Sequence, residues 1–201
     1  MKLAVAGNDE SFHELTQGVD AIEWVRVKMA EEALSLPGCK GFFNLGINAS
    51  DFDYSEFAIP VFINSVSRIA GRSTHIIRIN GWKGFLQNNT WEIAGSYNDD
   101  AKAIFQRLNK KIILTADVPG FISASVIAMI INEGYFAKAE QVSSEAEIDL
   151  AMKLGTNYPY GPFEWAARIG LKNIYDLLLE LSIQNKKYEP APLLTAAVNE
   201  L

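Results

Sequence analysis

Few side chains in this sequence are of the types that usually carry catalysis or bind metals. The only histidines are His13 and His75, and the only cysteine is Cys39. Because no cluster of Cys and His has metal-ligand spacing, the sequence predicts no metal site, and a single cysteine excludes a disulfide within the chain. His13 lies in a short amphipathic segment and His75 opens an apolar run. We interpret both histidines as structural or surface residues.

The turn after the first apolar run is a second place where chemistry is expected. A dinucleotide-binding turn needs the pattern Gly-x-Gly-x-x-Gly, so that the backbone can approach a pyrophosphate at a helix N-terminus. Here Gly7 is followed by Asn8-Asp9-Glu10, and two carboxylates repel a phosphate. Glu23 is the nearest candidate for the acidic residue expected about 20 residues further on, and it is poorly placed. These residues therefore predict no ordinary dinucleotide site, and we assign no cofactor-binding residues.

The elements that position these residues alternate between short apolar runs and short helical segments. Such alternation predicts an α/β layer with a largely parallel sheet. The predicted strands are residues 2–6, 22–27, 41–45, 60–65, 75–79 and 111–115. The predicted helices are residues 11–17, with Ser11 and Glu14 as a capping box, 29–36, and 99–108, with Asn98 as the cap.

The pattern changes to helical spacing after the pair Pro119-Gly120. Residues 121–139 are apolar nearly all round, as in a buried central helix. Further helices are expected at residues 145–154, ended by Gly155, and at 162–169, 173–183 and 192–198. The sequence therefore predicts two domains, residues 1–116 and 117–201.

Several short motifs of the second half occur together in one order and spacing. They are Asp117-Val118-Pro119-Gly120-Phe121-Ile122, Asn132-Glu133, Glu147 to Gly155, Tyr158-Pro159-Tyr160-Gly161-Pro162-Phe163-Glu164 and Ile169-Gly170-Leu171. In this order they resemble the C-terminal domain of 3-hydroxyacyl-CoA dehydrogenases. The resemblance implies a truncated Rossmann-like α/β domain followed by that family's helical domain. It also implies an NAD-dependent oxidoreductase of fatty-acid metabolism, so NAD is a possible cofactor.

The same resemblance, fainter in the first half, implies positions for the site. The strand ending near Asn64 is similar to the family strand that leads into a polar Ser-Asn-Thr-Ser-Ser turn, and Asn64 with Ser67 keeps two substrate-binding positions. By this resemblance, Lys83 takes the position of the family's catalytic histidine. Glu92 lies near the position of the family's glutamate that orients that histidine. Where the family has an asparagine in the first long helix, this sequence has Ala124.

These replacements leave three functional hypotheses. The first is the family's oxidation of a 3-hydroxyacyl-CoA, although a lysine with a pKa near 10.4 is a poor base at neutral pH. The second is a non-catalytic homodimer or scaffold that binds acyl-CoA or another small metabolite. The third is different cleft chemistry that uses Lys83 with Glu92, which requires a buried Lys83 with a depressed pKa. The sequence leaves open whether the protein is an enzyme, and the missing glycines and histidine favour the second hypothesis.

Composition limits the partners. The net charge of −6 and the absence of basic runs predict no nucleic-acid binding. The longest apolar run, residues 121–131, is about half of the roughly 20 residues that a membrane span needs, so we expect a soluble, cytoplasmic protein. By resemblance, the expected partners are a second copy bound through the helical domain and an acyl-CoA or small organic acid in an inter-domain cleft.

Overall fold

The computed structural model of the chain describes residues 1–46, 48–71 and 73–201. It divides into two compact units, Met1–Phe121 (the α/β unit) and Ile122–Leu201 (the helical unit). Residues 117–121, which the sequence assigned to the second domain, lie in the first unit, where Asp117 forms an ion pair with Arg78.

The α/β unit contains seven strands and three helices. Its strands are β1 (Lys2–Ala6), β2 (Glu23–Arg26), β3 (Cys39–Asn44), β4 (Val61–Asn64), β5 (Ile76–Ile79), β6 (Thr90–Gly95) and β7 (Lys111–Leu114). Its helices are α1 (Asp9–Thr16), α2 (Ala30–Leu34) and α3 (Asp99–Arg107), and a short 3-10 helix spans Ala49–Asp51. The prediction of Asn98 as the N-cap of α3 is confirmed, since its side chain accepts a hydrogen bond from Ala101 N.

One sheet with the strand order β2-β1-β3-β4-β5-β6-β7 joins all seven strands. The first five are parallel, β6 runs antiparallel to β5, and β7 is parallel to β6. The predicted, largely parallel Rossmann-like sheet is therefore confirmed. The described residues between β4 and β5 contain no helix, so this crossover is unusually short for parallel strands.

The sheet buries both of its faces, which explains why β1, β3 and β4 read as continuous apolar runs. The face that α1 and α3 cover includes Leu3, Val5, Leu15, Phe43, Phe62, Ile77, Trp91, Ile93 and Phe105. The opposite face includes Ala4, Ala6, Phe42, Tyr54, Phe57, Val61 and Ile63. Neighbouring residues of a strand thus belong to different cores, as the twofold alternation of β-structure requires.

Two details of the helix ends differ from the sequence prediction. The N-cap of α1 is Asn8, whose Oδ1 accepts a hydrogen bond from Ser11 N at 2.8 Å, so the predicted Ser11–Glu14 capping box is wrong. Glu14 is instead buried and accepts two hydrogen bonds from Gly84 N. In the helical unit, Gly155 does not end its helix, which continues to Thr156 and stops at Asn157 with a φ of 57°.

The helical unit is built around one long helix. Its helices are α4 (Ile122–Ala139), α5 (Glu145–Thr156), α6 (Pro162–Ile169), α7 (Leu171–Gln184) and α8 (Pro192–Asn199), with a 3-10 turn at Lys186–Tyr188. Helix α4 packs against α5, α6, α7 and α8. Its Asn132 is fully buried, donates a hydrogen bond to Glu189 O and accepts one from Ala191 N. Across the described part of the chain, no helix is long and apolar enough to cross a membrane.

Candidate functional site

Three asparagines mark the carboxyl ends of three neighbouring parallel strands. Asn44 is the last residue of β3, Asn64 is the last residue of β4, and Asn80 directly follows β5. In open α/β sheets, ligands bind in the crevice outside these strand ends, at the point where the strand order reverses. In this sheet the order reverses between β1 and β3. The carboxyl edge from β1 to β5 is therefore the candidate functional site.

Asn64 fixes the turn that follows β5. Its Oδ1 accepts a hydrogen bond from Gly81 N at 3.0 Å. A Cβ atom on Gly81 would lie 2.7 Å from Asn64 Cγ, so only glycine permits this approach. Ser67, the second predicted binding residue, is half-buried in the loop after β4. That loop is shaped by Ser65, whose Oγ donates a hydrogen bond to Arg68 O at 2.8 Å.

Lys83 is bound to helix α1. Its Nζ lies 2.6 Å from Glu10 Oε1, and its side chain is 38% exposed. The next residue, Gly84, donates its amide to both carboxylate oxygens of Glu14 at 2.8 and 2.9 Å. The loop after β5 is therefore held on the sheet face that α1 covers. The hypothesis of lysine-based chemistry requires a buried Lys83, but the side chain is partly exposed.

Glu92 lies on the other face of the sheet. Its neighbours Trp91 and Ile93 belong to the core that contains Leu15 of α1. Because side chains alternate along a strand, Glu92 points away from that core. The structure therefore does not bring Lys83 and Glu92 together on one face.

The residue that the strand register places beside Glu92 is Asn80, which sequence reasoning missed. Ile79 pairs with Ile93 in the antiparallel β5–β6 ladder, and continuing this register by one residue sets Asn80 opposite Glu92. Asn80 is only 8% exposed, and its Oδ1 accepts a hydrogen bond from Trp82 N at 3.1 Å. Its Nδ2 is buried and has no hydrogen-bond acceptor among the described residues. A buried donor without an acceptor costs about 1–3 kcal/mol, which a ligand oxygen would offset.

The turn after β1 is closed by the protein's own charges. Asp9 forms an ion pair with Arg26 at 2.5 Å, and Arg26 Nη2 also donates a hydrogen bond to Gly7 O at 3.1 Å. Glu10 is paired with Lys83, and the Asn8 side chain accepts the hydrogen bond of the Ser11 amide in the first turn of α1. A pyrophosphate needs free amides and no carboxylates at this place. The residues present therefore do not fit the phosphates of a dinucleotide.

A buried arginine organises the loop that carries Ser67. Arg78 is fully buried and donates hydrogen bonds to Ser65 O and Val66 O at 2.9 Å each, to Val118 O at 2.9 Å and to Asp117 Oδ1 at 2.7 Å. Asp117 also accepts hydrogen bonds from the amides of Ala70 and Gly71. Burial lowers the pKa of Arg78 and the Asp117 carboxylate opposes this shift, and arginine stays charged at neutral pH. This network (the Arg78 network) joins the loop after β4 to the segment after β7.

Tyr54 and His75, two further titratable side chains near this sheet, form hydrogen bonds within the protein. Asn44 donates a hydrogen bond to Tyr54 Oη at 2.8 Å, and Tyr54 donates one to Ala49 O at 2.6 Å. Burial raises the pKa of Tyr54 to about 12, with the Asn44 hydrogen bond acting in the opposite direction, so its hydroxyl stays protonated at neutral pH. His75 Nε2 lies 2.7 Å from Tyr54 O. Within the described ranges, no group of three His, Cys, Asp or Glu residues could hold a metal ion.

The architecture by itself defines a class of protein. A Rossmann-like unit with a ligand-binding strand edge is followed by an all-helical unit around one central helix. The first part has the doubly wound α/β fold, whose ligands bind outside the carboxyl ends of the strands.

Comparison with known proteins finds a domain similar to the second part of the chain. A family model described as the 3-hydroxyacyl-CoA dehydrogenase C-terminal domain matches residues 120–201. This part of the chain is therefore similar to that domain. In its helix α4, Ala124 is fully buried.

Curated relatives and solved structures agree with this similarity. A 3-hydroxyadipyl-CoA dehydrogenase of Escherichia coli is 42% identical over 108 residues, which cover 50% of this chain and 23% of that protein. A 3-hydroxybutyryl-CoA dehydrogenase of Bradyrhizobium diazoefficiens is 35% identical over 113 residues, which cover 53% of this chain and 39% of that protein. The aligned parts of the chain thus span less than half the length of these two curated relatives.

Among solved structures, a 3-hydroxybutyryl-CoA dehydrogenase of Escherichia coli matches 68% of this chain and 31% of its own, with 33% identity and a TM-score of 0.58. An (S)-3-hydroxybutyryl-CoA dehydrogenase of Ralstonia eutropha matches 89% of this chain and 70% of its own, with 21% identity and a TM-score of 0.66. The second likeness concerns the fold alone.

Proposed function

We propose that this chain is a 3-hydroxyacyl-CoA dehydrogenase-like protein of acyl-CoA metabolism in which NAD-dependent oxidation is lost or altered. The observation that carries the proposal is the closed turn after β1. Asp9 and Glu10 follow the strand where a dinucleotide-binding turn would begin, and they form ion pairs with Arg26 and Lys83. The relatives whose names include 3-hydroxyacyl-CoA substrates supply the acyl-CoA part of the proposal.

The strand edge at β5 and β6 supports the same conclusion. Oxidation of a hydroxyl group needs a base that accepts its proton. Asn80, which lies opposite Glu92, cannot accept a proton at neutral pH, because a neutral amide is not a base. Its unpartnered Nδ2 can only donate a hydrogen bond, which suits a carbonyl oxygen of an acyl ligand.

The alternative function is that of a binding protein or scaffold for acyl-CoA or another small metabolite. The buried Asn80 donor favours this alternative over cleft chemistry by Lys83 and Glu92, because Lys83 is half-exposed, paired with Glu10 and on the opposite face from Glu92. An altered dehydrogenase and a binding protein are both compatible with the similarity to this family. They differ only in whether the bound ligand reacts.

We also propose that the helical unit self-associates into a homodimer. Several large apolar side chains of this unit are exposed, including Ile122 (61%), Leu154 (78%) and Ile183 (78%). Exposed apolar side chains of this size are typical of surfaces that another chain covers. Light scattering at micromolar concentration should give twice the 22.3 kDa mass of the chain, and a monomer mass would contradict the proposal.

The decisive experiment separates binding from turnover. NAD, NADH and acetoacetyl-CoA are titrated singly by calorimetry, and NADH with acetoacetyl-CoA is then followed by the absorbance of the reduced nicotinamide. We expect no heat from either nucleotide, no consumption of NADH, and binding of acetoacetyl-CoA. Consumption of NADH at a rate that depends on the protein would refute the loss of activity.

A pair of matched variants tests the ligand-binding edge. Asn80→Ala should weaken acetoacetyl-CoA binding about fivefold, the effect of one neutral hydrogen bond. Asn88→Ala changes an exposed asparagine of the same connection and should leave the affinity unchanged. Equal affinities of the two variants would remove Asn80 from the site.

A further inference from the structure

An aromatic and cationic cluster lies on helix α6 and the turn before it, in the helical unit. Trp165 and Arg168 are three residues apart and therefore share one face of α6. The Arg168 guanidinium carbon lies 4.4 Å from the centroid of the Tyr160 ring. The Tyr160 ring in turn meets the Trp165 ring edge-on, with centroids 4.8 Å apart and an interplanar angle of 78°. We call these three residues the α6 cluster.

The charge of Arg168 is not neutralised within the protein. It is the only arginine in residues 122–201. Lys138, Lys153 and Lys172 of the same unit form ion pairs with Glu145, Glu164 and Asp176. In the part of the chain that the structure describes, no carboxylate pairs with Arg168, and its Nε is buried without an acceptor. A partly desolvated guanidinium in this condition favours an external anion.

The geometry of the cluster selects the kind of anion. The Tyr160 ring lies against one side of the guanidinium at a cation–π distance of 4.4 Å. The terminal N–H groups of a guanidinium form a planar fork. A fixed planar fork matches two oxygens of a phosphate or carboxylate, and such bidentate bonds are the strong ones. An arginine that only complemented the dipole at the C-terminus of α6 would need no such platform, since a lysine would serve equally well.

We propose that the α6 cluster is an oxyanion-binding site, which takes the phosphate or carboxylate group of a ligand on the outer edge of Arg168. The site is independent of the proposed function, because it uses no residue of the α/β unit. If the ligand is a CoA ester, the phosphates of its nucleotide part supply the oxyanion. If the ligand is a small organic acid, its carboxylate supplies it.

The test uses the full chain labelled with 15N and the indole resonance of Trp165, assigned with the variant Trp165→Phe. Inorganic phosphate, CoA and acetate are titrated separately at low ionic strength, where a charge-dependent contact is strongest. We expect the indole resonance to shift in a saturable manner with at least one of them. A stronger response to phosphate and CoA identifies a phosphate site, whereas a stronger response to acetate identifies a carboxylate site. No shift with any of the three would overturn the proposal.

Substitutions distinguish a binding role from a structural one. Arg168→Gln should abolish the response, and Arg168→Lys should weaken it about tenfold, because it keeps the charge at the helix end but loses the planar fork. Tyr160→Leu, which removes the platform, should also weaken it. The matched control Lys172→Gln removes a cation that is already paired with Asp176 and should leave the response unchanged. An Arg168→Gln protein that still responds like the parent overturns the proposal, and so does equal binding by Arg168→Lys.

Discussion

In the helical unit, residues of the recognised motifs form buried contacts, whereas in the α/β unit the turn after β1 is held by ion pairs. Asp149 is buried in α5 and accepts hydrogen bonds from the amides of Phe163 and Glu164 at the start of α6. At the turn after β1, by contrast, Asp9 and Glu10 are bound to Arg26 and Lys83. The motif residue Asp149 thus serves the packing of the helical unit, whereas the turn after β1 presents paired charges.

Each unit also contains a buried polar side chain that binds several backbone groups. The α/β unit has few family motifs, yet its Arg78 network joins three backbone carbonyls and Asp117 around one fully buried side chain. The polar centre of the helical unit is Asn132, which lies within a family motif. Substitutions in each unit test how much its stability depends on such contacts.

The largest effect is expected at Arg78. Arg78→Met removes the charged partner of Asp117 and one donor from each of three backbone carbonyls. Breaking such a buried pair typically costs about 3–5 kcal/mol. We expect the free energy of unfolding, measured with urea, to fall by that amount. Arg107→Met, on the exposed surface of α3, is the matched control and should change it by less than about 0.5 kcal/mol. A small loss at Arg78 would mean that the α/β unit is held by its apolar core alone.

A glycine pair tests whether the motifs of the helical unit serve packing. A Cβ atom on Gly161 would lie 2.3 Å from Asp149 Cα, so Gly161→Ala forces two backbone segments apart. We expect a loss of about 2 kcal/mol or more, as for other overpacked sites. Gly155 lies inside α5 with no atom near its Cβ position, so Gly155→Ala should stabilise the protein by about 0.5–1 kcal/mol. Unfolding curves that show equal effects for the two alanines would contradict a packing role for Gly161.

Gly155 also shows what the sequence could and could not predict. A glycine after a run of helical residues predicts a helix end, but Asn157 ends α5 because it adopts the left-handed conformation. Long apolar runs predicted β1, β3 and β4 well, since both faces of these strands are buried. Strand β6 was not predicted, because Glu92 interrupts its apolar residues. Its last residue, Gly95, was the available signal for its end.

The site was less predictable than the fold for a physical reason. The pairing of Lys83 with Glu10 and the position of Asn80 opposite Glu92 depend on tertiary contacts and on the β5–β6 register, which local patterns do not encode. An asparagine directly after an apolar strand and before a glycine was the available signal for Asn80. The closed turn after β1 could be predicted, since Asp9 and Glu10 are incompatible with a phosphate wherever their partners lie.

The smallest expected effect concerns the capping box of α5 and its pH dependence. Hydrogen bonds from the hydroxyl of Ser143, at 2.6 Å, and from the hydroxyl and amide of Ser144 lower the pKa of Glu147 from 4.5 to about 2. Because the folded-state pKa lies below the unfolded one, this carboxylate stabilises the protein fully above pH 4.5. The contribution is lost as the pH falls from 4.5 to about 2.

Melting temperatures of the parent and of Glu147→Gln, measured between neutral pH and the lowest pH at which the protein still folds, isolate this contribution. The parent should melt higher above the titration range of Glu147, and the two curves should converge as the pH falls through it. Glu140→Gln, an exposed residue beyond the end of α4, should give no such convergence. Parallel curves for the parent and Glu147→Gln would mean that the capping box of α5 contributes through its backbone geometry rather than through the charge of Glu147. The charge of Glu147 would then contribute nothing to the stability of the helical unit. This result would sharpen the contrast with the turn after β1, which is held by ion pairs.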